Sequence, residues 1–373
     1  MRLLAAQIYA YAVPFRPLRA DDGKTPVRSG LFLRLSARAP EGEILSGFGE
    51  VAPWPPPDAA GLAELTDQAE EGLRAVGRLP ATQLMDVSKD ALLPPGLSPA
   101  VHWGLDSARA DLLARVQGLP LHRLLSPASR SRVPVNAVLQ ERPEGLEEAV
   151  TGYLAKGIQT FKIKVGSRSP GEERQILETV WRLSGRTARF RLDANRMWRF
   201  SEAARRLEAF RDFLVEYVEE PLCPEDLPHL PELYRKTGVP AALDESLAEF
   251  SPEAPVLRGR AVAALVLKPQ QIGGFGAIRR WCRLARTLGK SAVFSSSLET
   301  GFGLALLAHV AAAWGTAGVP AGLHTLDFLQ ESLVTEETEI REGALILPAA
   351  PGAGVSPLLD AQEVELVREV ALA

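Results

Sequence analysis

In the middle of the chain, short apolar runs alternate with longer amphipathic stretches, and five of the runs close on a charged side chain. They lie at 160–166, 190–195, 215–221, 241–246 and 265–270, and the charges are Lys164, Asp193, Glu219, Asp244 and Lys268. Successive charges stand 29, 26, 25 and 24 residues apart. One strand, one helix and two loops fill about that interval in an eight-fold β/α barrel. Similar runs at 133–138, 292–297 and 321–326 complete a set of eight strands. Between them, periodicity predicts helices at 145–156, 171–183, 201–211, 225–235, 277–288 and 303–314. Ser201 is a candidate N-cap, and Gly238 and Gly289 are candidate stops. A barrel strand is buried on both faces, so a charge is tolerated chiefly at its end. The C-terminal strand ends form the mouth of this fold. The order Lys, Asp, Glu, Asp, Lys therefore predicts three carboxylates flanked by two ammonium groups around one cavity.

The first 125 residues follow another rhythm. Strand-like runs at 4–13, 29–35 and 45–51 precede helical patterns at 59–76 and 99–116, which predicts an α+β domain with an antiparallel sheet. The connections at 14–28 and 53–58 read equally well as functional loops or as surface crossings. After residue 326 the pattern is irregular. A Pro/Gly-rich stretch at 348–354 leads to what reads as a short terminal helix.

A chain of 373 residues is long enough for a full barrel plus a smaller domain. Net charge is −4 with both signs mixed along the chain, so no basic block points to nucleic acid. The most apolar helical stretch, 302–314, is too short for a membrane span and contains His309. The N-terminus alternates like a strand and lacks the apolar core of a signal peptide. Cys223 and Cys282 are the only cysteines, too few for a disulfide framework or zinc site, which fits a reducing, cytoplasmic setting.

Asp193, Glu219 and Asp244 offer only oxygen ligands. Converging carboxylates repel and take up protons unless a cation joins them. All-oxygen ligation favours Mg²⁺, with Mn²⁺ as a substitute, over zinc. The alternative is that each acid pairs with a lysine at the barrel rim. Neighbouring strand side chains alternate, so Glu219 and Glu220 cannot both face inward, nor can Asp244 and Glu245. Glu219 and Asp244 are preferred, with Glu220 supporting a ligand from outside. Asn195 shares the face of Asp193 and suits either a ligand-orienting role or a plain turn. Lys162 and Lys164 also share a face, and their mutual repulsion would lower a lysine pKa toward that of a useful base. Lys268 comes from the opposite side of the barrel. A cation with a base on either face suits removal of a proton next to a carboxylate.

These residues resemble the motifs of the enolase superfamily, in its muconate-lactonising branch. The resemblance rests on Lys162-Ile-Lys164, Asp193-Ala-Asn195, Glu219-Glu-Pro221, Asp244-Glu-Ser246 and Lys268-Pro269, in that order. It implies an enolase-like modified barrel of (β/α)7β form, at about 126–326, with an N-terminal α+β capping domain at about 1–125. The segment 327–373 would pack back on the cap. Within the branch, the segments 295–304, 322–327, 13–17, 29–33 and 47–53 resemble the o-succinylbenzoate synthase family. That family dehydrates 2-succinyl-6-hydroxy-2,4-cyclohexadiene-1-carboxylate to 2-succinylbenzoate in menaquinone biosynthesis, through a metal-stabilised enediolate. The resemblance implies Lys164 as the base and then the acid, and Lys268 as a cation over the opposite face. It implies Asp193, Glu219 and Asp244 as Mg²⁺ ligands. Lys162, Asn195, Ser295, Ser297 and Gly322 would contact substrate or support the site. The family often carries Asp where His324 stands.

The same scaffold serves N-succinylamino acid racemases and dipeptide epimerases, because two opposed lysines also suit 1,1-proton transfer. Dipeptide epimerases typically bear an Asp-x-Asp pair at strand eight, and Leu323-His-Thr-Leu-Asp327 has none. A barrel acting only as a binding protein is the third alternative, since fold alone does not set function. The expected partner is a small carboxylate substrate, with no nucleic acid and no membrane insertion. Homo-oligomerisation is left open.

Overall fold

The computed structural model describes residues 1–16, 26–87, 93–139, 143–250 and 254–372. Much of the connection expected at 14–28 therefore lies outside the described residues. Strands β1 (Arg2–Pro14), β2 (Val27–Arg38) and β3 (Ile44–Val51) form an antiparallel sheet near the N-terminus. The helices Ala59–Gly77 and Pro99–Val116 cover it. Alternation along the strands buries Ile8, Leu31, Leu33 and Leu35 against Leu65, Leu73, Leu105 and Leu112. Glycines set the depth of this contact. A Cβ on Gly49 would stand 1.9 Å from the Gly104 carbonyl oxygen, so a larger residue would push the helix off the sheet.

The barrel strands are β4 (Arg132–Leu139), β5 (Thr160–Lys164), β6 (Arg189–Asp193), β7 (Val215–Glu219), β8 (Ala241–Leu243), β9 (Val262–Leu267), β10 (Ser291–Phe294) and β11 (Ala321–His324). From β4 to β10 each pairs in parallel with the next. Pairing of β11 with β4 and a bridge from Ser295 to Gly322 close the ring. Such a strand can bury both faces, and Phe161, Phe190, Leu192, Leu243 and Leu265 are fully inaccessible. After β11 comes a 3₁₀ turn, Leu326–Phe328, in place of an eighth helix. The short strands β12 (Ile340–Arg341) and β13 (Ala344–Ile346) form a hairpin, and β13 runs antiparallel to the start of β4. The architecture is thus α/β, a (β/α)7β barrel with an N-terminal antiparallel cap.

Three local expectations are corrected. The end of the chain is not a helix but strand β14 (Val364–Val370), which pairs antiparallel with the edge of β1. A free strand edge more than 350 positions away supplied partners that local propensity does not see. The helix expected at 201–211 is Phe200–Ala209, and Ser201 does not cap it. The carboxylate of Asp226 accepts the Phe200 N–H at 2.8 Å instead. The helix expected at 225–235 splits into a 3₁₀ turn, Pro224–His229, and the helix Leu230–Thr237, with prolines at 228 and 231 where the regular ladder fails. Gly238 closes that helix in the left-handed conformation, φ 73°.

Cap and barrel meet through buried polar groups at the mouth. The Glu50 carboxylate accepts from Tyr11 Oη at 2.6 Å, Thr300 N at 3.0 Å and Thr300 Oγ1 at 2.9 Å. Gln270 accepts from Ala52 N at 2.9 Å and donates to Glu50 O at 3.2 Å. The end of β3 is thereby tied to the loops that follow β9 and β10. Among the described residues, no helix is long and apolar enough to cross a membrane.

Candidate active site

Strand register brings the charged ends together. Lys164 pairs with Asp193, and Asp193 with Glu219, so these three share one level. Glu219 pairs with Ala242, and Ala242 with Ala264. Asp244 lies two residues past Ala242, on the same face by the period of two. Lys268 follows the last residue of β9. Asp193, Glu219 and Asp244 are all buried, at 3, 2 and 6% exposure.

The ammonium of Lys162 lies between two of the acids, 2.9 Å from Asp193 Oδ2 and 2.7 Å from Glu219 Oε1. Lys268 Nζ donates to Asp244 Oδ2. Lys164 stands further out. Its side chain is 49% exposed, its Nζ is 4.0 Å from Asp193 Oδ2, and it donates to Asn195 Oδ1 at 2.9 Å. Asn195 sits in the left-handed region, φ 44°, and its N–H donates to Asp193 Oδ1 at 3.1 Å. It therefore holds both the lysine and the acid. The two groups also sense each other: the charge of Asp244 acts on Lys162, and that of Lys268 acts on Glu219.

Burial and crowding set the protonation of these groups. Burial, with the nearby charges of Asp193 and Asp244, pushes Glu219 up to about 7 against the pull of Lys162. Burial also raises Asp244, against Lys268. For Asp193, burial is outweighed by Lys162 and Lys164, and its pKa falls. The expectation that the pair Lys162 and Lys164 would lower a lysine pKa is corrected at Lys162. Burial does act in that direction, but Asp193, Glu219 and Asp244 together hold its pKa well above the usual value. Lys268 is raised in the same way, with burial overcome first by Asp244.

Glu220 faces away from the cavity and is fully buried. Strand alternation turns it to the side opposite Glu219, and its own backbone is left-handed, φ 44°, just past the end of β7. Its carboxylate accepts from Asp244 N at 2.7 Å, Ser246 N at 2.8 Å and Ser246 Oγ at 2.5 Å. The turn that presents Asp244 is thus held by a residue on the neighbouring strand.

On the other arc of the mouth, Ser295 N donates to Leu267 O at 3.0 Å, one residue before Lys268. A Cβ on Gly322 would lie 2.7 Å from Ser295 Oγ, so a larger residue would displace that hydroxyl. Ser297 Oγ is buried without a hydrogen-bond partner among the described residues, while its N–H donates to Glu299 Oε2 at 2.6 Å. Among the described residues, no hydrogen bond or ion pair joins the side chains of Ser295 or Ser297, or Gly322, to the lysine–carboxylate cluster. A bulge between Ala321 and His324 resets the alternation of β11. His324 consequently packs edge-on against Tyr153, at 5.1 Å, on the outer helix layer.

Sequence reasoning missed Glu50 and Glu299. Both are buried acids, and an acid closing the apolar strand at 45–51 was the available signal for Glu50.

Among the described residues, no set of three or more acidic, histidine or cysteine side chains stands as a ready metal-holding group, and the lysine ammoniums take up the carboxylates. The donor chemistry nevertheless fits a hard divalent cation. Asp193, Glu219 and Asp244 offer only oxygen donors and are buried in one electrostatically linked cluster, where burial and the neighbouring acids raise the carboxyl of Glu219 to about 7.

A family profile described as "Enolase C-terminal domain-like" matches residues 145–361. This chain belongs to the enolase superfamily, in its muconate-lactonising branch. Among its relatives in this superfamily is an o-succinylbenzoate synthase from Yersinia pseudotuberculosis, 32% identical, matched over 88% of this chain and 92% of that one. An N-succinylamino acid racemase from Thermus thermophilus is 27% identical over 95% of both chains. The muconate lactonizing enzyme of Pseudomonas fluorescens, solved with muconolactone, superposes with TM-score 0.78 at 20% identity, over 95% of this chain and 96% of that one, and shares the fold. The relatives in this superfamily are enzymes of differing reactions, so the chain is an enzyme whose reaction must be argued from its site.

Proposed function

We propose that this enzyme is an o-succinylbenzoate synthase, a hydro-lyase that dehydrates 2-succinyl-6-hydroxy-2,4-cyclohexadiene-1-carboxylate to 2-succinylbenzoate. The observation that carries this reading is the arrangement of Lys164 and Lys268 on either side of three buried carboxylates. The end of β11 supports it, because His324 is turned outward by the bulge and no carboxylate pair stands there to receive a substrate ammonium.

Lys164 is suited to be the base. It reaches the mouth, and Asn195 steers its Nζ. The neutral amine takes the proton from the carbon beside the substrate carboxylate. The resulting ammonium then gives that proton to the departing hydroxyl on the same face, so water leaves and the ring becomes aromatic. Lys268 stays protonated, held so by Asp244, and its charge opposes the negative charge that builds on the substrate carboxylate. Asp193, Glu219 and Asp244 would hold Mg²⁺, with Mn²⁺ as a substitute, and the bound ion would supply further positive charge beside that carboxylate. Lys162 and Ser297 would contact substrate or support the site, and Ser295 and the backbone near Gly322 would receive the succinyl tail.

The Thermus relative, matched over nearly the whole chain, favours one second reading, racemisation of N-succinylamino acids by the same two lysines. Purified protein assayed on both substrates separates the two. Dehydration that vanishes on chelation and returns with Mg²⁺ supports the synthase, whereas turnover of N-succinylamino acids alone rejects it. The variants Lys164→Ala and Lys268→Ala should each lose at least about 10²-fold in kcat. Calorimetric Mn²⁺ binding should survive in Lys164→Ala. Near-normal turnover there would remove Lys164 from its role.

A further inference from the structure

A second cavity lies on the far side of the barrel from the catalytic lysines. It occupies about 730 Å³ between the C-terminal turns of the helices Phe275–Thr287 and Gly301–Trp314, beside Ser291 and Ala292 at the start of β10. The strands begin here, whereas the lysine–carboxylate cluster sits at their ends. Its volume is within the range of sites that hold small metabolites. Its walls carry Arg279, Arg283, Arg286 and Lys290, and no acidic side chain among the described residues. That bias stands out in a chain whose net charge is −4. A cleft lined by one sign of charge over low-dielectric walls concentrates counter-ions.

Local structure accounts for part of the charge. Arg286 lies in the last turn of its helix, where a cation complements the dipole. Lys290 Nζ donates to Gly259 O at 2.6 Å, and Arg279 lies over the Trp314 ring at 5.6 Å. Arg283 is a turn too early for the dipole. Neither Arg283 nor Arg286 makes an ion pair or side-chain hydrogen bond among the described residues. At a spacing of three they stand on one helix face, where two guanidinium forks can meet one multiply charged oxyanion.

We propose that this cavity binds a small polyanion, either phosphorylated or polycarboxylated, at a site separate from the catalytic mouth. Binding would be read by calorimetry on the metal-free full-length protein, with inorganic pyrophosphate and citrate as the two probes. Saturable binding of pyrophosphate alone assigns a phosphate site, and of citrate alone a polycarboxylate site. Binding of both assigns recognition of oxyanion charge. In each case R283A/R286A should weaken binding at least tenfold. R283K/R286K keeps the charge without the fork and should weaken it by less. The variant R182A/R186A, in a different outer groove, should bind as the unsubstituted protein does. The proposal is overturned if neither probe binds, if R283A/R286A binds within twofold of the parent, or if R182A/R186A loses as much.

Discussion

Single residues in this enzyme show how burial decides what a charge costs. Glu299 is an example outside the lysine–carboxylate cluster. It is 1% exposed, and burial together with the nearby Glu50 pushes its carboxyl up to about 7. The unfolded carboxyl ionises near its ordinary value, so between roughly pH 4.5 and 7 the folded state holds the extra proton. Stability therefore falls as pH rises through that window and stays reduced above it. Glu299→Gln removes the ionisation while keeping an oxygen to accept from Ser297 N. We expect its melting temperature to exceed that of the parent by a few degrees at pH 8 and by little at pH 4.5. An equal gain at both values would show that the charge of Glu299 is not what burial penalises. The acids of the mouth obey the same rule: Lys162 and Lys164 outweigh burial at Asp193, whereas Lys162 counters it only in part at Glu219 and Lys268 only in part at Asp244.

At the scale of elements, what was legible in the sequence depended on how far away each cause lay. A charge closing an apolar run announces a strand end, because a fully buried strand tolerates it nowhere else, and the intervals from Lys164 to Lys268 carry the barrel repeat. Strand β14 was not legible, since it exists through the edge of β1 and its own sequence is largely solvent-facing. The outward turn of His324 was not legible either, because one bulge reverses the parity on which facing is predicted. Glu220 falls between. Alternation excludes it from the cavity, but only the structure shows it gripping the turn at Asp244 and Ser246. We expect Glu220→Ala to weaken Mn²⁺ binding about 10–100-fold by calorimetry. Glu220→Gln, whose carbonyl can accept both N–H groups while its amide donates to Ser246 Oγ, should stay close to the parent. A folded Glu220→Ala protein with unchanged affinity would mean that the turn holds Asp244 in place unaided.

For the whole molecule, the decisive joint is the one between cap and barrel. The barrel brings the lysines and carboxylates together by strand register alone, but β3 ends beside Gln270, two residues past Lys268. The loop at 53–58 departs from that point, so the joint sets where the cap sits relative to the mouth. Glu50 is its centre, and Gly303 makes the room. A Cβ there would lie 1.9 Å from Glu50 Oε2 and 2.7 Å from Glu299 Cβ. Glu50 cannot swing aside freely, because Tyr11 and Thr300 hold its carboxylate. Gly303 is helical and needs no unusual backbone, so its replacement tests space and not conformation. We expect Gly303→Ala to cost about 1–3 kcal/mol in urea unfolding, the usual penalty for overfilling a packed interior. If the clash is the cause, Glu50→Ala should cost less in the Gly303→Ala background than alone, giving a non-additive cycle. Strict additivity would separate the two residues and leave the cap held by its apolar contacts. The KM for substrate in Gly303→Ala then distinguishes a joint that only stabilises from one that frames the site. A rise in KM with kcat retained is the result expected if the lysines keep their register while the cap shifts over them.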